Sequence, residues 1–287
     1  MPTWIRSNKV ASNGGCDVMT QESSAAQVLL LERMMWPEVA DAISSDLPIL
    51  TPVGSLEQHG HHMPLGTDAF LPFELAKRVA KHQRLVIAPP LMYAGRSHPR
   101  SGGGGMAFAG TTGFPGSTLA GIFGQLTAEY LRQGFRRLVF LNGHFENADP
   151  LFEAAEHAIE SFPDEAKVLI INWWELVTDE DIRRIFPGEF PGWELEHAGV
   201  VETSLMEHLL PEMVRPDRKT DGPPLRQRYD VVPLPSDRIP PTGVPYLSTP
   251  ATPEIGRYLA DALVERLAAI VADEFGPASS AHEQRAS

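Results

Sequence analysis

The chain has 287 residues, of which 43% are hydrophobic and 21% charged, a composition typical of a soluble globular protein. Its 37 acidic residues outnumber the 24 Lys and Arg, and the net charge of −13 argues against nucleic acid or an anionic membrane as the main partner. The single cysteine excludes an internal disulfide framework and a thiolate-rich zinc site. Any metal must therefore be bound by His, Asp and Glu.

Residues 1–26 are rich in Ser, Asn, Gly and Gln, and we expect them to form a flexible lead-in. This segment has no continuous apolar stretch of the kind found in a secretory signal. No apolar run in the chain approaches the roughly 18 residues of a membrane span. The sequence therefore predicts a cytoplasmic protein, in which Cys16 is a stray thiol on the lead-in and not a nucleophile.

Short apolar runs then alternate with helical patterns. The runs are continuously apolar, as in parallel strands that are covered on both faces, and this rhythm predicts a layered α/β domain. Asp68 is a candidate cap for the first of these helices and Ser117 for the second, which Gly134 ends. The predicted strands are residues 47–54, 84–90, 137–142 and 167–174, and the predicted helices are residues 69–82, 117–134, about 148–161, and 252–275.

Two stretches interrupt the rhythm. Residues 91–116 form a long loop that contains Ser101 and four consecutive glycines, and loops of this length are more often functional than not. Residues 211–253 hold 11 of the 26 prolines, so we expect an irregular segment that wraps the surface or forms a subunit contact. We expect one catalytic domain over residues 27–275, followed by a disordered tail at 276–287.

Histidines and carboxylates follow two of the predicted strands. Glu57 and His59 come after the first strand, with Asp68 shortly beyond, and His144 and Glu146 come after the third. Ligands of open parallel sheets bind beyond the carboxyl ends of the strands. Residues two apart in an extended chain project from the same side, so each loop can direct one imidazole and one carboxylate to a common point. This mixed N/O set suits Zn²⁺ or Mn²⁺.

Each of these residues also has a purely structural interpretation. Asp68 can serve only as a helix cap, His144 only within a tight turn, and Glu57 as a surface carboxylate. Their clustering favours the metal site, because three converging carboxylates would repel one another unless cations lie between them. Asp68 could then bridge two ions. For His61 and His62 we favour packing roles or the support of a metal ligand. Glu202, on a predicted helix, stays unassigned.

Several segments resemble the signature of the creatininase (creatinine amidohydrolase) family. They are residues 52–62 with Asp68, residues 142–147, and residues 192–199 with 202–204. The resemblance runs from about Val28 to Phe275. It implies a three-layer α/β/α sandwich around a mostly parallel sheet, and a metal-dependent hydrolase that acts on C–N bonds of cyclic amides. It also implies two divalent ions per subunit, Zn²⁺ and/or Mn²⁺, and a homo-oligomer, specifically a hexamer.

The resemblance also implies roles for individual residues. One ion would be held by Glu57, Asp68 and His144, and the second by His59, Asp68 and Glu146. The catalytic residues would be His197, as the acid–base group, and Glu146. The implied substrate-binding residues are Ser101, Phe145, Trp174, Trp193 and Glu194.

Two positions depart from the creatininase pattern. Phe145 stands where creatininase carries a tyrosine, and Glu194 where it carries an aspartate. The loss of a polar contact can change the preferred substrate, so the metal chemistry is better supported than creatinine itself.

The predicted reaction is the opening of a small cyclic amide by a hydroxide that the two metal ions share, with creatinine and creatine as the expected substrate and product. The first alternative is a sibling hydrolase that opens a lactam, a hydantoin-like ring or a polyol-derived cyclic ketone. The second is a metal-stabilised structural or ligand-binding protein without activity, against which the presence of His197 argues.

Overall fold

A computed structural model of the chain describes residues 28–276, with the exception of residues 100, 102–103, 161–165, 187, 223–228 and 230. The predicted lead-in, with Cys16, lies outside the described residues. The predicted tail also lies outside them, apart from Gly276.

The described residues contain a parallel five-stranded sheet and a separate parallel pair of short strands. The order in the sheet is β1-β3-β2-β6-β7, and β4 pairs with β5 in the loop between the second and third predicted strands. The third predicted strand is confirmed at both ends, whereas the others are shorter than predicted. The strands are β1 (Leu29–Leu30), β2 (Ile49–Val53), β3 (Val86–Ile87), β4 (Ala94–Gly95), β5 (Gly113–Phe114), β6 (Arg137–Asn142) and β7 (Lys167–Asn172).

Seven α-helices accompany these strands in the described part of the chain. They are α1 (Trp36–Ser44), α2 (Thr67–Val79), α3 (Gly116–Gln133), α4 (Ala148–Ile159), α5 (Asp179–Ile185), α6 (Val200–Leu209) and α7 (Pro253–Phe275). Strands β1, β4 and β5 and helices α1 and α5 were not predicted. None of the described helices is both long and apolar enough to cross a bilayer.

The helices form one layer on each face of the sheet. Helices α2, α6 and α7 share a core with Leu50 and Val139, whereas α1 and α3 share another with Ile49 and Leu138. A third cluster packs α3 and α4 against Phe140. Neighbouring residues of one strand therefore face opposite cores, which explains why the strands are continuously apolar. The predicted three-layer α/β/α sandwich is confirmed.

The helix ends agree with the sequence at some positions and differ at others. Thr252 caps α7 by accepting a hydrogen bond from the Ile255 amide at 3.3 Å, and Gly134 ends α3 with a φ of +113°. The prediction that Ser117 caps α3 is wrong, because the helix begins at Gly116 without a side-chain cap. Strand β7 ends at Asn172 because residues 173–176 turn into a 3₁₀-helix.

The proline-rich segment 211–253 is irregular, as predicted, wherever it is described, and contains three short 3₁₀-turns. It lies against the residues that follow β2 and against α6. The Arg215 amide donates to the His62 carbonyl at 2.8 Å, and Lys219 Nζ pairs with Glu207 of α6 at 2.9 Å. This segment therefore covers one end of the sheet, next to the candidate site.

Candidate metal centre

The loop after β2 carries Glu57 and His59, and both side chains are buried. His59 Nδ1 donates a hydrogen bond to the Glu57 carbonyl at 3.0 Å, so in the neutral ring the proton lies on that nitrogen and Nε2 holds the lone pair. Nε2 lies 2.9 Å from Asp68 Oδ1. The backbone thus fixes the tautomer that a metal ligand requires, with Nε2 facing the site.

Asp68 lies in the first turn of α2. The prediction that it caps this helix is wrong, because the cap position is Gly66 and no side chain accepts a hydrogen bond there. Its two oxygens instead contact two imidazoles: Oδ1 lies 2.9 Å from His59 Nε2, and Oδ2 lies 3.0 Å from His144 Nδ1. A carboxylate placed between two histidines in this way has the arrangement of a bridging ligand.

The loop after β6 brings His144 to the same point. Asn142 holds the turn, since its side chain accepts from the His144 amide at 3.1 Å and donates to the His144 carbonyl at 2.9 Å. A Cβ atom at Gly143 would lie 2.1 Å from the Asp68 carbonyl, so only glycine allows this loop to approach α2 so closely. His144 Nδ1 also lies 3.1 Å from Glu57 Oε2.

The ligand atoms form two groups within the described residues, and in each the atoms lie within 4.8 Å of one another. The first group is Glu57, Asp68 and His144, as predicted for one ion. The second group is His59, His197 and Glu202, with Glu202 Oε2 at 3.6 Å from His59 Nε2. Glu202 could not be assigned a role from the sequence. The sequence signal that could have identified Glu202 is its acidic side chain in the first turn of α6, a helix in which most of the surrounding residues are buried and apolar.

Glu146 lies apart from both groups, on the opposite edge of the His144 ring. Its Oε2 is 3.1 Å from His144 Nε2, and its Oε1 accepts hydrogen bonds from Ser101 Oγ at 2.6 Å and the His98 amide at 2.8 Å. Residues 145–147 form a 3₁₀-turn, so His144 and Glu146 do not project from the same side as an extended chain would place them. The geometry therefore places Glu202, and not Glu146, beside His59.

The electrostatics show that this cluster needs positive charge. Burial lowers the pKa of His59, but the charge and hydrogen bond of Asp68, together with the charges of Glu202 and Glu57, outweigh it and raise the pKa to about 10. Burial likewise lowers the pKa of His144, but the combined effect of Glu146, Asp68 and Glu57 raises it well above its usual value. Burial raises the pKa of Glu202 to about 7. Four carboxylates, those of Glu57, Asp68, Glu146 and Glu202, meet in this cluster.

Divalent cations fit this donor set. Among the described residues, the buried atoms Glu57 Oε1, His59 Nε2 and Asp68 Oδ2 form no hydrogen bond. Buried polar atoms are rarely left in this state, and cations would satisfy them. Two divalent ions carry +4, which matches the charge of these four carboxylates in their ionised form, so these four need no protonated imidazole when a pair of ions is bound.

His197 contacts the cluster through one edge of its ring. Its Nε2 donates to the Gln58 carbonyl at 2.6 Å, so Nδ1 holds the lone pair, and Nδ1 lies 3.9 Å from Glu57 Oε2. Burial lowers the pKa of His197 to about 4. The ring is therefore neutral near pH 7, with a free base facing the site.

A cavity opens above the cluster, and all of the predicted substrate-binding residues line it. Phe145 is 45% exposed at its mouth and stacks on Trp174, with ring centroids 5.7 Å apart. His61 and His62 do not line this cavity: His61 is exposed, and the buried His62 contacts Thr203 Oγ1 at 2.9 Å. The lining includes Ser101, Phe145, Trp174, Trp193 and Glu194 together with Glu57, Asp68, His144, Glu146, His197 and Glu202.

The sheet and the cluster at its carboxyl edge define an α/β protein with a ligand set for two metal ions. The family model described as "Creatininase: Creatinine amidohydrolase" matches residues 32–271. The chain belongs to the creatininase family. This confirms the predicted family and the predicted class of enzyme, a hydrolase of C–N amide bonds.

Individual relatives agree with this assignment. The chain is 38% identical over 251 residues to a creatinine amidohydrolase of Pseudomonas putida, which covers 85% of this chain and 96% of that protein. A solved structure of a mutant creatininase complexed with creatine has a TM-score of 0.84 and 35% identity, and covers 88% of this chain and 100% of the other. Further creatininase structures, with 36% identity and the same coverage, include a Mn form with a TM-score of 0.84 and a Zn–Zn mutant form with 0.83.

A relative with a different substrate is also similar. The 3-dehydro-scyllo-inosose hydrolase of Thermotoga maritima is 28% identical over 181 residues, which are 61% of this chain and 54% of that protein. The predicted divalent-metal cofactors agree with the Mn and Zn forms of the solved creatininases and with the two ligand groups of this chain.

The close approach of Gly143 to Asp68 gives a testable prediction. Gly143→Ala should force the loop after β6 away from α2, because the added Cβ meets a backbone carbonyl. We expect metal affinity to fall about 10- to 100-fold, as when the support of a ligand is lost. Competition with a chelating dye measures this affinity.

Gly121→Ala is the matched control for that variant, because nothing lies within 4 Å of a Cβ at Gly121 on α3. It should bind metal normally and stabilise the helix by roughly 1 kcal/mol. Normal metal affinity in Gly143→Ala would contradict the proposed role of the close approach.

Proposed function

We propose that this chain is a binuclear metal-dependent hydrolase that opens a small cyclic amide, with creatinine as substrate and creatine as product. The observation that carries the proposal is the position of Asp68, whose two oxygens face His59 and His144 at 2.9 and 3.0 Å. The similarity to creatinine amidohydrolase over most of both chains supports the choice of substrate.

The two ligand groups suggest which residues hold each ion. Glu57, Asp68 and His144 would hold one, and His59, Asp68 and Glu202 the other. When bound, divalent cations supply Lewis acidity and lower the pKa of water toward neutrality. This assignment differs from the sequence-based expectation only in its carboxylate for the second ion, Glu202 in place of Glu146.

The remaining residues bind substrate and move protons. A flat ring fits beside the stacked rings of Phe145 and Trp174, which also exclude water. His197 is neutral, with Nδ1 free, so it can take up the proton that water releases and pass it to the departing ring nitrogen. Glu146, tied to Ser101, holds the Nε2 proton of His144 and so orients that ligand.

A sibling substrate is the second candidate function. Phe145 and Glu194 line the cavity at the two positions where the sequence departs from the creatininase pattern. Phe145 offers no hydroxyl to a substrate, and this favours a ring that needs one hydrogen bond fewer than creatinine. The similarity to an inosose hydrolase separately supports a polyol-derived cyclic ketone as a candidate substrate. The predicted hexamer and cytoplasmic location stay predictions.

A substrate panel tests the proposed function. The purified chain, with metal content measured, is assayed on creatinine, methylhydantoin, small lactams and a cyclic polyol ketone. We expect creatinine hydrolysis that a chelator abolishes and that Zn²⁺ or Mn²⁺ restores. Turnover of the ketone alone would favour the sibling hydrolase, and no turnover by the metal-loaded protein would contradict both.

The identity of the second ion's carboxylate can be tested by metal analysis. Glu202→Gln should retain about one ion per chain, because an amide is a poor ligand and Glu202 faces His59 at 3.6 Å. Glu146→Gln, the isosteric control, should retain about two. Elemental analysis after gel filtration decides between the carboxylates, and the reverse pattern would restore Glu146 as the ligand.

Phe145 can be tested as a determinant of specificity. Phe145→Tyr should raise kcat/KM for creatinine about 10-fold, since a new hydrogen bond of roughly 1.4 kcal/mol corresponds to that factor. The control is Phe152→Tyr, because Phe152 is 56% exposed on α4 and does not line the cavity. Equal kcat/KM values for Phe145→Tyr and the unmodified chain would show that this position tolerates either ring.

A further inference from the structure

Gln58 joins three parts of the chain that are distant in sequence. Its side chain is 5% exposed, and it lies between Glu57 and His59. Its backbone amide donates to Thr111 Oγ1 at 3.0 Å, which ties it to the long loop before α3. Its side-chain Nε2 donates to the Gly243 carbonyl at 2.8 Å, which ties it to the proline-rich segment. Its backbone carbonyl accepts from His197 Nε2 at 2.6 Å.

The Gly243 end of this junction is built to fit Gln58 closely. Gly243 closes a turn by donating its amide to the Pro240 carbonyl at 2.9 Å, and it adopts a φ of +75°. A Cβ on Gly243 would lie 1.8 Å from Gln58 Oε1. The neighbouring Val244 is fully buried. Glycine is therefore required here for both its conformation and its lack of a side chain.

The same junction determines which nitrogen of His197 carries the proton. A carbonyl oxygen can only accept, so the 2.6 Å contact places the proton on Nε2 and the lone pair on Nδ1. Gln58 Nε2 also lies 2.9 Å from His197 Nε2, but both nitrogens carry protons in this tautomer, so this is a packing contact and the backbone carbonyl of Gln58 is the acceptor that fixes the ring. A shift of Gln58 would therefore move the ring and release its tautomer.

We propose that Gln58 is a positioning residue, and that the turn at residues 240–243 of the proline-rich segment acts through it to hold His197 in the Nε2-protonated tautomer. We call the Gly243–Gln58–His197 contacts the latch. The latch gives the proline-rich segment a role within one subunit. This segment lies outside the sheet, and its contact with Gln58 holds His197, the proton-transfer residue, in place. The proposal rests on the proposed function only for the role of His197 in turnover.

The first test replaces the amide with an isosteric apolar side chain. Gln58→Met keeps the backbone carbonyl but loses the hydrogen bond to Gly243. We expect kcat to fall about 10- to 100-fold, the effect of misplacing a proton-transfer group by about 1 Å, with KM and metal content nearly unchanged. An unchanged kcat would overturn the proposal.

The second test disturbs the latch from its other end. Gly243→Ala should lower kcat by a similar factor, although this residue does not line the cavity. Gly276→Ala is the matched control, because Gly276 has a φ of +69° but nothing lies within 4 Å of its added Cβ. It should lose stability through strain and keep its kcat. Equal effects of the two glycine variants on kcat would overturn the latch.

A double-mutant cycle separates the latch from general damage. If Gln58→Met and Gly243→Ala break the same contact, their effects on kcat will be strongly non-additive. Gln58→Met combined with Gly276→Ala should be additive. Additive effects in the first pair would show that Gly243 does not act through Gln58.

The last measurement does not depend on turnover. In the zinc-loaded protein with ¹⁵N-labelled histidine, the His197 signals are identified by their loss in His197→Gln. We expect the unmodified chain to show a protonated Nε2 and an unprotonated Nδ1, and Gln58→Met to show a mixture of tautomers. A protonated Nδ1 in the unmodified chain would overturn the latch, whichever compound of the substrate panel is hydrolysed. A chain that hydrolyses none of them would still give this result, so the two failures remain distinct.

Discussion

The contact between the Asp68 carboxylate and two buried imidazoles is the constraint on which the rest of the site depends. Its oxygens lie 2.9 Å from His59 and 3.0 Å from His144, in a region that also contains Glu57 and Glu202. A concentration of negative charge in a buried place is costly unless cations balance it. The raised pKa values of His59 and His144 have the same cause, because without a metal ion a protonated imidazole is the cation that this cluster itself can provide.

The fold brings the ligand residues together by close contact between the backbones of the loops after β2 and β6 and the first turn of α2. Added Cβ atoms would lie 2.3 Å from the Ala69 nitrogen at Gly54 and 2.1 Å from the Asp68 carbonyl at Gly143. Two strand ends and the first turn of α2 therefore converge without side chains between them. Each histidine then has one nitrogen occupied by a protein group, the Glu57 carbonyl for His59 and Glu146 for His144. The nitrogens that remain face Asp68.

Much of this arrangement could be predicted from the sequence, because strand periodicity and strand ends are local properties. The alternation of apolar runs and helices gave the layers, and the residues after β2 and β6 gave most of the cluster. Strand β1 was not predicted because a strand of two residues is too short to show an apolar pattern in the sequence. Its pairing depends on the rest of the sheet being formed. The assignment of Asp68 as a cap was wrong because α2 begins at Thr67, two residues before the predicted start, so that Asp68 lies within the first turn and Gly66 occupies the cap position.

The positions of the Glu146 and Glu202 carboxylates could not be predicted from the spacing of residues in the sequence. The pair His144 and Glu146 was assumed to be extended, but residues 145–147 turn, and the carboxylate passes to the far edge of the ring. Glu202 is far away in sequence and reaches His59 only because α6 packs on the same face of the sheet as α2. Its carboxylate also accepts from the Ala198 amide at 2.7 Å, a contact next to His197. Helix α6 thus links one carboxylate of the cluster to the loop that carries the proton-transfer histidine, and tertiary packing alone determines that link.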